Sequence, residues 1–151
     1  MNQETLMKRR MIRALVLFGI TFIALLVFIA LYIDETRRVQ ETYRMQYTTS
    51  LIKVNEDIDS YLDNDGDHEL RYTRIISDMS SADSFVFLID NIPEDHKRAV
   101  NEILTCIMKY PDQMKAKLSE LKPALEDIIA EHDKGYDEVT AIVASVDKKG
   151  H

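Results

Sequence analysis

The hydrophobic pattern of the chain opens with one long uncharged run, which extends from Ala14 to Ile33 and contains twenty residues. A helix of this length covers about 30 Å, the thickness of the hydrocarbon core of a bilayer. Only a helix can carry a single segment through lipid, because every backbone N–H and C=O group must be paired within the segment. The run therefore predicts a transmembrane helix.

Two other interpretations of this run fit less well. A cleaved signal peptide has a shorter apolar stretch and small residues at its cleavage site, whereas the end of this run, from Phe28 to Asp34, has no paired small residues. A core helix of a soluble protein would need the rest of the chain to cover twenty apolar residues on every side. We therefore expect an uncleaved, single-pass anchor.

Apolar residues continue beyond the run at helical spacing, three or four positions apart. No helix-breaking residue occurs before Asp63, so the pattern predicts one helix from about Leu6 to Leu62. The spacing is typical of the core face of a helical bundle. A coiled-coil seam is the alternative, although the stripe covers barely two heptads. Its residues are Tyr43, Tyr47, Leu51, Val54, Ile58 and Tyr61.

A turn-forming stretch from Asp63 to Asp67 then predicts the end of this helix. The following segment, from about His68 to Ile92, has one apolar side. Ser80 and Asp83 within it have the spacing of a capping box, which would divide the segment into two helices. The stretch Phe85–Ile89 is β-prone in composition, but a lone strand would have no partner.

Prolines and a glycine set the predicted limits of the later helices. Pro93 predicts the start of the third helix, Pro111 the start of the fourth, Pro123 a kink in the fourth and Gly135 its C-terminal cap. The expected fold class is all-α: a single N-terminal transmembrane helix that continues into an antiparallel bundle of four to five helices. Its later apolar faces contain Val100, Ile103, Leu104, Ile107, Met108, Met114, Leu118, Leu121, Leu125, Ile128, Ile129, Val139, Ile142, Val143 and Val146.

Charge predicts how the anchor is oriented. Lysine and arginine crowd the N-terminal edge of the run, whereas the C-terminal edge begins with Asp34 and Glu35. The positive-inside rule then predicts a cytoplasmic basic stub at 1–13, a transmembrane helix at 14–33 and an extracytoplasmic acidic helical domain at 34–151. The inverted topology, with a cytoplasmic domain, is the alternative. The cations before the run are Lys8, Arg9, Arg10 and Arg13.

The domain after the run carries 25 acidic and 15 basic residues, a net charge of −10. Such a surface repels nucleic acid and anionic lipid headgroups, so no nucleic-acid partner is expected. The chain has no N-x-S/T sequon, which is compatible with a bacterial source. Its single cysteine, Cys106, excludes an intramolecular disulfide and is expected to be a small core residue. An exposed reactive thiol, or one that forms an intermolecular disulfide, is the alternative.

The strongest clustering of charged side chains is the acidic turn after the first helix. Asp63, Asp65, Asp67 and Glu69 form a weak candidate metal site, because hard cations take several oxygen ligands on a tight turn. Alignment of Gly66 with the invariant glycine of an EF-hand places tyrosines at the first and twelfth ligand positions. The EF-hand interpretation therefore fails, and an ordinary acidic turn is favoured.

The histidines and tyrosines offer little chemistry by sequence alone. The four histidines (His68, His96, His132 and His151) lack paired ligand spacing and are expected at the surface near helix ends. The tyrosines at helical spacing are expected at core edges, with a tyrosine-lined pocket for a small ligand as the alternative. These tyrosines are Tyr43, Tyr47, Tyr61, Tyr72, Tyr110 and Tyr136.

These patterns predict a protein that acts by binding. No nucleophile–base motif and no glycine-rich phosphate loop occurs in the chain, so we expect neither an enzyme nor a cofactor. The leading hypothesis is an accessory subunit or adaptor that docks on another membrane or envelope protein. The alternative is a membrane-tethered sensor of a small molecule or cation, and homo-oligomerisation stays open. The layout resembles the sensory half of bacterial chemoreceptors in architecture, without shared residues.

Overall fold

The structure, a computed structural model, describes residues 3–63, 66–131 and 133–148, with side chains from residue 7. This part of the chain is all-α and contains five helices: α1 (Gln3–Asp63), α2 (His68–Val86), α3 (Glu94–Lys109), α4 (Pro111–Ala130) and α5 (Tyr136–Ser145). The prediction of one uninterrupted first helix is confirmed. The chain divides into two compact units, Met1–Val39 and Gln40–His151.

The N-terminal unit contains the long apolar segment of α1. Its large side chains from Leu15 to Ile33 are all exposed within the protein. The hydroxyl of Thr21 donates a 2.9 Å hydrogen bond to the Leu17 carbonyl, so this polar side chain is paired within the helix. Among the described residues, α1 is the one helix long and apolar enough to cross a membrane.

The C-terminal unit is built around one hydrophobic core. The predicted stripe of α1 is confirmed: Tyr47, Leu51, Val54 and Ile58 are buried, while Tyr43 and Tyr61 lie at the edge of the core. Each of the other four helices buries one face in the same core. Those faces include Tyr72, Ile75, Met79, Val86, Val100, Ile103, Cys106, Ile107, Met114, Leu118, Leu121, Leu125, Ile128, Tyr136, Val139 and Val143.

Helix α2 differs from its prediction at two points. It continues through the serine-rich stretch without a break, so the predicted capping box is wrong; the Asp83 carboxylate instead accepts a 3.2 Å hydrogen bond from Asn101 on α3. The Ser84 hydroxyl is satisfied by the Ser80 carbonyl four residues earlier, as serines inside helices commonly are. The helix ends at Val86, and a turn covers the remainder of the predicted segment.

Helix α3 confirms the predicted core face except at Met108, which is half exposed. Successive residues of a helix point about 100° apart, so Cys106 and Ile107 fill the core at this turn and Met108 turns away. Pro93 lies just before the helix, and its carbonyl accepts a 3.2 Å hydrogen bond from the Lys97 N–H.

The role predicted for Gly135 is also wrong. Helix α4 passes through Pro123 and ends at Ala130, and Gly135 precedes α5. Its φ of 85° favours glycine. A Cβ atom at this position would lie 2.2 Å from the Ala124 carbonyl oxygen and 2.9 Å from Ile128 Cγ1. The glycine therefore lets the α4–α5 connection pass closely over the backbone of α4.

Long-range hydrogen bonds show which parts of the C-terminal unit lie together. At what we call the Gln40 end, Gln40 contacts the turn after α2, and Tyr47 contacts Tyr136 at the start of α5. At the opposite Asp63 end, Glu69 contacts Lys115 near the start of α4. Each end thus gathers segments that are far apart in the sequence.

Candidate functional site

The acidic turn predicted from the sequence lies at the Asp63 end. Asp63 and Asp67 are exposed, and the Glu69 carboxylate is 2.6 Å from the Lys115 ammonium. Asp65 lies outside the described residues. No three His, Cys, Asp or Glu side chains in the described ranges are grouped so as to hold a metal ion. The weak candidate site Asp63, Asp65, Asp67 and Glu69 stays a prediction.

A line of aromatic side chains crosses the core at the Gln40 end. The Tyr47 and Tyr136 hydroxyl oxygens are 3.1 Å apart and buried. The His96 ring stacks on the Tyr136 ring with 3.9 Å between centroids. Burial raises the pKa of both tyrosines above the ordinary value of 10. These phenols therefore stay protonated and act as structural hydrogen-bonding groups.

A polar cleft of about 200 Å³ opens beside this aromatic line, where α4 leads into α5. His96 is only partly buried, yet its Nδ1 atom is buried and lacks a hydrogen-bond partner in the described part of the chain. A second cleft of about 420 Å³ shares Asp133 with the first and is lined also by Arg44, Asn91, Ile92 and Pro93. The remaining lining residues of the first are Asp127, Lys134, Gly135, Tyr136, Asp137 and Glu138.

Carboxylates around aromatic rings could attract a small organic cation. All four acidic residues of the first cleft are exposed, however, so water competes strongly for the same charges. Of the six tyrosines considered above, only Tyr136 lines it. The Tyr72 hydroxyl is used elsewhere, since it donates a 2.8 Å hydrogen bond to the Ile107 carbonyl inside the core.

The turn between α2 and α3 is the feature that sequence reasoning missed. The Gln40 side-chain amide holds it at two points: Nε2 donates to the Leu88 carbonyl at 3.2 Å, and Oε1 accepts from the Asp90 N–H at 3.0 Å. Phe87 and Leu88 are about half exposed in this turn (50% and 47%). In the sequence, these two residues belong to the apolar run Phe85–Ile89, which departs from the amphipathic spacing of α2.

The histidine and cysteine predictions had mixed outcomes. His68 is exposed at the start of α2, as expected, and its ring lies edge-on to Tyr61. His96 is not a simple surface residue, because it stacks on the core tyrosine Tyr136. His132 and His151 lie outside the described residues. Cys106 is buried, and burial raises its thiol pKa, so the prediction of a core thiol is confirmed.

A pair of carboxyl groups joins α1 to α2. Burial and a hydrogen bond to Asp78 raise the pKa of Asp57, while the nearby Arg74 opposes the shift. Both aspartates are partly buried. Because two carboxyl groups can hydrogen-bond only when one carries a proton, protonation of this pair favours the folded state.

Comparison of the chain with protein-family models, curated proteins and solved structures gives no match. The features of the chain that bear on function are the exposed apolar segment of α1, the buried core, and the clefts and turn at the Gln40 end.

Proposed function

We propose that this chain is a non-enzymatic, single-pass membrane protein that serves as an accessory subunit or adaptor of an envelope or membrane complex. The single observation that carries the proposal is the exposed apolar segment of α1. The large side chains of this uncharged segment, from Leu15 to Ile33, are exposed, and burying them in water-free lipid removes a large apolar surface from water. The basic residues before the segment favour a cytoplasmic N-terminus.

A binding role also agrees with how the domain uses its reactive groups. The Cys106 thiol is in the core, and two of the tyrosine hydroxyls, those of Tyr47 and Tyr136, contact each other. The charged side chains are mainly at the surface. Their net charge of −10 keeps the domain soluble and suits a partner with a basic face.

The helix ends support an antiparallel bundle, which we include in the proposal. The part of α1 around Gln40 and Tyr47, the end of α2 and the start of α5 meet at the Gln40 end. The starts of α2 and α4 meet at the Asp63 end. Successive helices that alternate in direction produce this pairing, and such a bundle presents long helical faces to a partner.

The second candidate function is a membrane-tethered sensor of a small molecule or cation. It is favoured by the buried, unpartnered His96 Nδ1 atom beside the acidic cleft. A ligand that binds there would raise the melting temperature of the purified full-length protein in a saturable way. Spermidine and calcium are suitable probes, and a His96→Phe variant, which keeps an aromatic ring for stacking, is the matched control.

The adaptor proposal is tested by in-cell proximity crosslinking of the full-length protein, followed by mass spectrometry of its neighbours. One dominant membrane-protein neighbour on the outer side supports the proposal. Exclusively cytoplasmic neighbours contradict the topology, and no specific neighbour contradicts the adaptor role. The control is Ala24→Arg with Leu25→Arg, which places two charges in the middle of the segment and should abolish membrane retention. Retention of this variant would mean that the segment is not the anchor.

A further inference from the structure

The turn after α2 exposes two neighbouring large apolar side chains at the Gln40 end of the C-terminal unit. Phe87 and Leu88 are each about half exposed, although Gln40 holds the turn by two hydrogen bonds. A rigid turn with exposed apolar side chains keeps them out of the core at a cost in hydration, which a contact with an apolar medium would remove.

The hold on this turn comes from Gln40 of α1. One amide group pairs with both the Leu88 carbonyl and the Asp90 N–H, groups that are 48 and 50 positions away in the sequence. The glutamine side chain can make this double contact because its amide both donates and accepts a hydrogen bond. The turn is thereby fixed to one level of α1.

That level is close to the end of the apolar segment by covalent connection alone. Gln40 is seven residues past Ile33. Seven residues rise about 10 Å in a helix and reach at most about 25 Å when fully extended. The polar layer of a bilayer adds about 5–7 Å beyond the hydrocarbon core on each side. At the helical rise Gln40 would lie a few ångströms outside this layer, a gap that a large side chain of the turn can span.

From these observations we propose that Phe87 and Leu88 insert into the interfacial layer of the same membrane that holds α1, with Gln40 as the residue that positions them. The proposal rests on the membrane anchor proposed above. The occupant of this apolar patch is lipid, and the driving contribution is apolar burial, because the acidic domain gains nothing from anionic headgroups.

The chain contains no tryptophan, so one introduced tryptophan reports its own surroundings. The test uses the full-length protein in phosphatidylcholine vesicles with bromine near the top of the acyl chains. Phe87→Trp should emit at shorter wavelength and lose most of its fluorescence to the brominated lipid. Leu70→Trp, at an equally exposed apolar position of the Asp63 end, should keep most of its fluorescence and be quenched by acrylamide from water.

A Gln40→Glu change in the Phe87→Trp background tests the positioning role. Glutamate keeps the acceptor for Asp90 but cannot donate to the Leu88 carbonyl, so the bromine quenching should fall. Unchanged quenching would show that Gln40 does not position the turn.

The remaining outcomes separate this proposal from the anchor itself. If the tryptophan of Phe87→Trp is quenched by acrylamide and not by bromine, lipid insertion is wrong. A protein partner would then be the remaining occupant of the Phe87–Leu88 surface. Equal quenching of Phe87→Trp and Leu70→Trp also overturns it, since the whole domain would then lie on the membrane. Leu31→Trp, at an exposed position near the outer end of the apolar segment, checks the anchor. Its quenching together with an unquenched Phe87→Trp refutes only the turn, whereas an unquenched Leu31→Trp refutes the membrane anchor.

Discussion

The buried contact between Tyr47 and Tyr136 allows a quantitative test of the core at the Gln40 end. Each tyrosine can be replaced by phenylalanine, which removes only the hydroxyl. Tyr136→Phe also preserves the ring that stacks on His96, so the change isolates the hydrogen bond from the aromatic packing.

The expected magnitude follows from the burial of both hydroxyls, since Tyr47 is 1% and Tyr136 3% exposed. Either single change leaves the other hydroxyl buried without its partner, which should cost about 1–3 kcal/mol of unfolding free energy. The double change removes both polar groups and should cost no more than either single change. The coupling energy between the two sites is therefore expected to be about 1 kcal/mol or larger.

The assay is urea unfolding of a fragment of residues 34–151, which carries every core residue and lacks the apolar segment. Circular dichroism at several urea concentrations yields the free energy for the native sequence, both single variants and the double variant. Tyr43→Phe, at the edge of the core, is the control and should change stability by less than about 0.5 kcal/mol. Additive single effects, or single variants as stable as the control, would refute a buried hydrogen bond here.

Three further predictions concern the same fragment. Gly135→Ala should destabilise the fragment by about 2 kcal/mol or more in urea unfolding, because a positive φ costs about 1–2 kcal/mol and the new Cβ meets the Ala124 carbonyl. Gly66→Ala is the control, since a Cβ atom at Gly66 would have no neighbour within 4 Å. Equal effects of the two changes would contradict the clash at Gly135. Because the pKa of Asp57 is raised from 3.8, its carboxyl group binds a proton more tightly in the folded state than in the unfolded state. Protonation of Asp57 therefore adds stability as pH falls through the raised pKa. Asp78→Asn should flatten that dependence in urea midpoints measured from neutral to mildly acidic pH, and an unchanged slope would exclude the carboxyl pair. Above pH 10, the unfolded state releases protons that the buried tyrosines retain, so melting temperature should fall as pH rises; a flat profile would mean that these hydroxyls reach water.

Local errors in the sequence analysis have a common origin. The capping-box spacing of Ser80 and Asp83 predicted a break in α2, yet Asp83 pairs with Asn101 of another helix and α2 continues. Gly135 was predicted to end α4, but it serves the following helix, where it also makes room for the Ala124 carbonyl. In each case the residue type signalled a special position, and a contact with a distant helix decided its role.

The sequence by itself determined the apolar segment, the all-α class and most of the buried face of each helix. These features depend on composition and on the spacing of apolar residues within one helix, where neighbours three and four positions apart share a face. Tertiary structure alone decided the contact between Tyr47 and Tyr136, the stacking of His96 and the hold of Gln40 on the turn at Leu88. Such partners lie 40 to 89 positions apart in the sequence. They meet only when helix packing fixes the axial position and the rotation of each helix relative to its neighbours. Local periodicity carries no record of that arrangement, because many registers bury the same apolar faces and differ only in which polar groups meet.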